Sequence, residues 1–364
     1  MNIPMVDPAG EYRALKSEID AAVGRVFASG RFVLGPEGEA LEREIVEFTG
    51  ARHAVGVNSG TDALHLPLVA AGIGAGDEVV IPAFTFFATG EAVSYTGATP
   101  VFADVDAGTF NLDPASFSKS ITKKTKAVIA VHLFGQCAAL DQIAEICKAR
   151  KLILIEDCAQ CIGADYGGKR AGSWGDFGGF SFYPTKNLAA AGDAGLITAR
   201  EKKDEKTLRM LRHHGSRQTY LHERVGWNSR LDELQAAVLR VKLKHLARYN
   251  EARRAAARRY REKLAGANVV LPAEHGRGTH VYHQFTLRSE RRDAIREALT
   301  KEGIASSVFY PIPLHKQPAY ESAARGVSLP VSEAIAKTVL SLPIHPLLDE
   351  ASIDGIAACV RKAA

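Results

Sequence analysis

Between Phe177 and Asp193 the only basic side chain is Lys186, set in the run SFYPTKN and followed by the small, flexible stretch Leu188 to Gly195. An amine without charged neighbours is a candidate for a sheltered, reactive nucleophile, because desolvation favours the neutral form that carries the lone pair. Three other stretches offer complementary chemistry. Asn58-Ser59-Gly60-Thr61 lies where a strand pattern gives way to a helical one. Free N–H groups at a helix start, with a glycine permitting close approach, bind anions, although Ser59 or Thr61 reads equally as an ordinary N-cap. Phe84-Thr85-Phe86-Phe87 puts aromatics after a strand, where they serve as core or as a flat surface for a ring. Glu156-Asp157, with Gln160 three residues on, follows a buried strand. A carboxylate there caps a helix, holds a loop, or faces a positive charge on a ligand.

These residues need a scaffold that gathers them. Runs 54–57, 78–82, 100–102, 126–133, 152–155, 180–183 and 196–198 read as strands. Runs 41–48, 62–71, 90–95 and 141–150 read as helices between them. Such alternation predicts a mostly parallel sheet covered on both faces, with ligands at the carboxyl ends of its strands. The candidate residues all follow strands. Beyond residue 230 the texture changes. Residues 231–264 form a long helical pattern, expected to break or bend at 248–250. The remainder mixes strands (281–287, 306–310) with helices (291–302, 332–339). This predicts an α/β domain over 1–245 and a smaller α+β domain over 246–364.

The 364 residues are 46% hydrophobic and 24% charged, with net charge +5 and pI near 8.9, an ordinary soluble composition with a mild preference for anions. The basic residues of 240–263 read as a solvated helix face rather than a nucleic-acid surface, because Leu239, Val241, Leu243, Leu246 and Tyr249 supply a buried stripe opposite them. Five cysteines are an odd number in a chain too large to need staples, so a reducing compartment fits. Cys158 and Cys161 form a lone C-x-x-C, read as two semi-buried residues at a strand end rather than a redox pair or zinc site. The first residues lack a signal pattern and no apolar run approaches a membrane span, so the expected location is the cytoplasm.

An anion cradle, a stacking aromatic, a carboxylate and a sheltered lysine together describe a site for pyridoxal 5'-phosphate, which has a phosphate, a flat ring, a protonated ring nitrogen and an aldehyde. The stretches Ser59 to Leu64, Pro82 to Phe86, Val131 to Gln136, Glu156 to Gln160, Ser181 to Asn187, Asn228 to Ala237, Tyr310 to His315 and Ser341 to Pro346 resemble, in order, the sugar aminotransferases of the DegT/StrS type. That resemblance implies the fold-type I architecture of pyridoxal-phosphate enzymes, and a homodimer with active sites at the subunit interface. It implies that Lys186 bonds covalently to the cofactor and that Asp157 pairs with its ring nitrogen. Gln160 then contacts the ring hydroxyl and Phe86 stacks on the ring. Gly60, Thr61 and Ser181 hold the phosphate, and Asn228 reaches it from the partner subunit. Arg230, Tyr310 and His315 are the implied substrate contacts. Relatives that dehydrate sugars have histidine where this chain has Lys186, so the implied reaction is transamination. The implied donor is L-glutamate and the acceptor a keto sugar on a nucleoside diphosphate, with the His280 to Gln284 and Arg212 to Gly215 stretches leaning toward a 3-keto sugar. The alternatives are a 4-keto sugar, a cyclitol ketone, or a non-catalytic regulator that binds the cofactor. No metal, nucleic acid or membrane partner is implied.

Overall fold

The computed structural model describes residues 2–218 and 220–364. A seven-stranded sheet forms its centre, with strands in the spatial order His53–Val57, Gly195–Ala199, Phe177–Ser181, Ile153–Asp157, Thr125–Val131, Glu78–Pro82 and Thr99–Ala103. Only Gly195–Ala199 runs against its neighbours. The other strands are parallel, so their carboxyl ends share one edge. That edge presents Asn58, Ala83, Asp104, His132, Cys158 and Phe182 as the first residues past the six strands.

The strands are apolar runs because both of their faces are covered. One core packs Val55, Val57, Val79, Ile81, Ile129 and Ile197 under the Gly60–Ala70 and Phe87–Tyr95 helices. On the other face Val80, Val128 and Leu154 meet Phe117, Ile143 and Cys147. Residues 152–155 were expected to end a strand before Glu156, but the ladder continues through Asp157, opposite Val131 on one side and Gly179 on the other. The 180–183 strand instead lies at Phe177–Ser181 and stops where the lysine segment turns away.

The long helical pattern is two helices, Glu233–Leu243 and Leu246–Lys263, parted at Lys244 and His245 rather than at 248–250. No glycine or proline marks the break, and apolar residues flank it on both sides, so periodicity could not locate it. Several of its arginines are committed to carboxylates: Arg240 to Glu37 and Glu44, Arg258 to Glu251, and Arg259 to Asp354. Arg253 is buried, donating to the carbonyl oxygen of Ile344.

The C-terminal core gathers Tyr260, Phe285, Leu287, Ile295, Leu340 and Ile356, and Ile3 joins it by bridging to Ile304. The expected strand at 281–287 is confined to Phe285–Arg288, paired with Val339–Leu342. Of 306–310, only Ser307 makes a bridge. Among the described residues no helix is long and apolar enough to cross a membrane.

Candidate active site

Lys186 is presented by a tight turn. Its N–H donates to the Tyr183 carbonyl at 2.8 Å, with Pro184 and Thr185 as the central residues. Proline suits the first of these positions because its φ is preset for the turn. The following residue locks the turn to the protein. Asn187 Nδ2 donates to Asn250 Oδ1 and to the Val281 carbonyl, leaving Asn187 Oδ1 to accept from His283 Nδ1. Burial pulls the Lys186 amine down from 10.5 to about 8, with the Asp157 carboxylate opposing the change.

The adjacent carboxylates have opposite environments. Glu156 is fully buried and accepts from the N–H groups of Gly172, Trp174 and Gly175, each at 2.8 Å, and pairs with His132 Nε2 at 3.0 Å. Burial alone would raise its pKa, but the His132 ring and these backbone donors hold it below the ordinary value. Glu156 is thus the structural member of the pair, anchoring the 172–175 loop. Asp157 has fewer donors: Ala159 N–H at 3.1 Å on Oδ1, and the Thr89 hydroxyl at 2.9 Å on Oδ2. Burial dominates there and raises its pKa, against Ala159, Thr89 and the charge of Lys186. A cation facing Asp157 would compensate this burial.

Gln160 has a determined orientation. Its Oε1 accepts from Phe134 N–H at 2.7 Å, so the amide nitrogen turns the other way and donates to the Tyr310 hydroxyl at 3.1 Å. Tyr310 also lies 6.0 Å, ring to ring, from Phe86. Phe84 is fully buried as core, whereas Phe86 keeps 56% of its surface exposed, although it begins a helix packed on the sheet. An exposed aromatic beside buried polar groups is a surface for a flat ligand.

The anion end is built by close approach. Ser59 caps the Gly60–Ala70 helix by accepting from Asp62 N–H, which leaves the first N–H groups, those of Gly60 and Thr61, without helical carbonyl partners. A Cβ on Gly60 would lie 2.5 Å from Ser181 Cβ, so only glycine lets the helix start sit against that serine. Gly195 is equally constrained, since its Cβ would meet the Ser59 carbonyl at 2.2 Å. These features fit pyridoxal phosphate: a cradle of N–H groups and a hydroxyl, an exposed ring face, a buried carboxylate short of a cation, and a sheltered amine.

The remaining candidates lie elsewhere. Asn228 and Arg230 line a cavity of about 320 Å³ with Val33, Asn58, Asp193, Asp232 and Gln235. The Asn58 backbone N–H and side-chain oxygen both meet Ser229 Oγ, tying this segment to the strand end that carries Gly60. His315 is buried, with Nε2 3.0 Å from Glu333 and its ring against Phe102, so its partners are not those around Lys186. Cys158 and Cys161 are fully enclosed rather than semi-buried, and burial raises both thiols, keeping them protonated. They lie with His132 in a group of metal-ligand type, but both His132 nitrogens are committed, Nε2 to Glu156 and Nδ1 to Ala138 N–H. Sequence reading passed over Thr85 and Thr89. The available signal was a hydroxyl pair at helical i, i+4 spacing flanking Phe86.

Comparison with known proteins places these features in context. Residues 13–361 match the model of the DegT/DnrJ/EryC1/StrS aminotransferase family. A UDP-N-acetyl-3-dehydro-alpha-D-glucosamine 3-aminotransferase of Acidithiobacillus ferrooxidans is 48% identical over 360 residues, covering 99% of this chain and 97% of that protein. A dTDP-3-amino-3,4,6-trideoxy-alpha-D-glucose transaminase of Streptomyces venezuelae is 45% identical over 363 residues, covering 99% and 96%. The crystal structure of S. venezuelae DesV in complex with a ketimine intermediate superposes with a TM-score of 0.97 at 45% identity, covering 99% of this chain and 98% of that one.

Proposed function

This chain belongs to the DegT/DnrJ/EryC1/StrS aminotransferase family, and we propose that it transfers an amino group from L-glutamate to a 3-keto sugar carried on a nucleoside diphosphate. It is a pyridoxal-phosphate-dependent aminotransferase. The 3-keto reading is supported by the names of the two relatives above, one acting on a UDP-linked and one on a dTDP-linked sugar, each at position 3. The mild basicity of the chain suits a diphosphate and a carboxylate as ligands.

When bound, the cofactor supplies an aldehyde that condenses with amines and a protonated ring that accepts the electrons released at the amine-bearing carbon. Asp157 holds positive charge at the ring nitrogen. Gly60, Thr61 and Ser181 would bind the phosphate through N–H and O–H donors. Phe86 would offer one face to the ring, and the Gln160 amide, one N–H of which already donates to Tyr310, would have its other N–H for the ring hydroxyl. The Lys186 amine, drawn toward neutrality by burial, takes the proton from the donor's carbon and returns it on the acceptor side. Tyr310, held by Gln160, borders the space an acceptor would fill. Asn228 and Arg230 line a cavity that also takes in Asn58, beside the phosphate cradle, and we read them as serving the site of a second copy in a homodimer. Its free cysteines, four of them buried, suit the cytoplasm.

The observation that carries this reading is the half-buried Lys186, presented by its tight turn and drawn down by burial, with buried Asp157 held by Thr89 and Ala159 within reach of its charge. Purified protein supplied with pyridoxal phosphate is expected to show a visible absorption band that glutamate bleaches. Lys186→Ala should lose both the band and turnover of a nucleotide-linked 3-keto sugar. A wild-type protein that stays colourless with added cofactor would refute it.

A further inference from the structure

We propose that Thr89, itself oriented by Thr85, is the positioning residue that holds Asp157 ionised and aimed at the cofactor's ring nitrogen. The inference rests on the assignment of Asp157 to that nitrogen made above. Thr89 sits in the first turn of the Phe87–Tyr95 helix and is 1% exposed. Other helical hydroxyls of this chain turn back to a carbonyl four residues earlier: Ser94 to Gly90 on the same helix, and Thr49 to Ile45, Thr207 to Lys203 and Thr300 to Arg296 on others. Thr89 does not. It reaches across to another element and meets Asp157 Oδ2 at 2.9 Å, while Thr85 Oγ1 lies 3.1 Å behind it.

A threonine hydroxyl has one proton. When Asp157 is ionised it can only accept, so Thr89 donates to it and Thr85 donates to Thr89. The chain of donors then runs in one direction, toward the carboxylate. If Asp157 is protonated, that chain must reverse or break. Hydrogen bonds in series strengthen one another and those to charged groups are the stronger kind, so the pair favours the ionised carboxylate. This matters because Asp157 is buried and, among the described residues, has one other hydrogen-bond donor, the Ala159 N–H. The titratable groups that influence it include Lys186, His132, Tyr310 and the Cys161 thiol, of which Lys186 is committed to chemistry, His132 to Glu156, and Cys161 stays protonated by burial. Thr89 also fixes which oxygen lobe remains for the ligand. Oδ1 is engaged by the main chain and Oδ2 by the helix, so the carboxylate cannot rotate without losing both bonds.

The test compares Thr89→Val, which removes the hydroxyl at nearly constant volume, with Thr89→Ser, which restores it. Asp157→Asn is measured alongside. Cofactor affinity is read by equilibrium dialysis, and the pH dependence of the visible band by spectroscopic titration. Thermal melting of the cofactor-free protein monitors folding. Thr89→Val is expected to weaken cofactor binding about tenfold, the value of one hydrogen bond to a charged group, and to shift the pH midpoint of the band. Thr89→Ser should return both to wild type. A folded Thr89→Val with wild-type affinity and pH profile overturns the proposal, as does a defect that serine does not repair. Should Thr89→Val fail to fold, Thr85→Val carries the test, with a smaller shift of the same sign expected and no shift overturning it. If Asp157→Asn itself behaves as wild type, the assignment of Asp157 has failed. If Asp157→Asn is impaired and Thr89→Val is not, only the role of Thr89 has failed.

Discussion

A lysine carries this chemistry only when its lone pair is available, and at Lys186 burial supplies that availability. The amine is drawn to about 8, and the Asp157 carboxylate that opposes the change does not reverse it. Between about 8 and 10.5 the folded, cofactor-free chain therefore holds one proton fewer here than the unfolded chain. This group makes folding more favourable as pH rises through that window and less favourable below it. The same shift is visible as reactivity. With cofactor removed, labelling of Lys186 by an acylating reagent, followed by peptide mass spectrometry, is expected to reach half its maximum near pH 8. Surface lysines should still be gaining reactivity two pH units higher. A Lys186 profile that overlays theirs would show that the amine is not sheltered. The lone lysine in SFYPTKN was legible as a candidate because no other basic residue lies nearby, but the anchoring of its turn through Asn187 to Asn250 and His283 was not, because sequence spacing does not connect them.

At the scale of elements, the strand end that carries Gly60 and Thr61 is held by a buried ionic clamp. Glu42, from the Pro36–Thr49 helix, accepts from Gly56 N–H at 2.8 Å, from Arg212 Nη1 at 2.8 Å and from Arg209 Nη2 at 2.7 Å. Arg212 Nη1 also donates to the Gly56 carbonyl at 2.6 Å, so both main-chain groups of Gly56 are gripped. The Arg212 carbonyl in turn accepts from Ser229 N–H, linking the clamp to the Asn228–Arg230 segment. Removing one member of a buried ion-pair group leaves its partners uncompensated, a cost of about 3–5 kcal/mol. Glu42→Ala is expected to lower the free energy of unfolding in urea by roughly 3 kcal/mol, the lower end because Arg209 keeps Glu205. A change below about 1 kcal/mol, the level of a surface pair, would mean that the clamp contributes little. The helix and strand were both readable from periodicity. The clamp was not, because Glu42 and Arg212 are separated by 170 positions and each alone reads as a surface charge.

At the scale of the whole molecule, the proposed site draws on two regions. Lys186, Asp157, Gln160 and Phe86 lie around the carboxyl edge of the sheet, while Asn228 and Arg230 border a cavity that also takes in Asn58. A homodimer in which each copy completes the other's site accounts for both. Mixing Lys186→Ala with Asn228→Ala, each inactive alone, is then expected to restore activity, because a hybrid pair contains one site with both native residues. Restored turnover approaching one quarter of the wild-type value is the statistical expectation when half of the pairs are hybrid and each has one intact site of two, about 0.5 × 0.5. If the mixture stays inactive after subunit exchange has been verified by mass, both residues serve the same copy.

What the sequence determined by itself is what short-range physics controls. Alternating apolar runs and helical periods specify a mostly parallel sheet, and strand ends place Gly60, Asp157 and Lys186 along one edge, because each such feature depends on residues within a turn or two of its neighbours. Local turn chemistry likewise set Pro184 and Thr185 ahead of the lysine. The tertiary structure alone decided which side chains meet across that edge. Thr89 reaches Asp157 across 68 positions and Gln160 reaches Tyr310 across 150, while His315 turns to Glu333 instead. Those choices follow from how helices and loops pack on the sheet, where sub-ångström fit and the need to satisfy buried polar groups select one partner among many, and no local pattern encodes that selection.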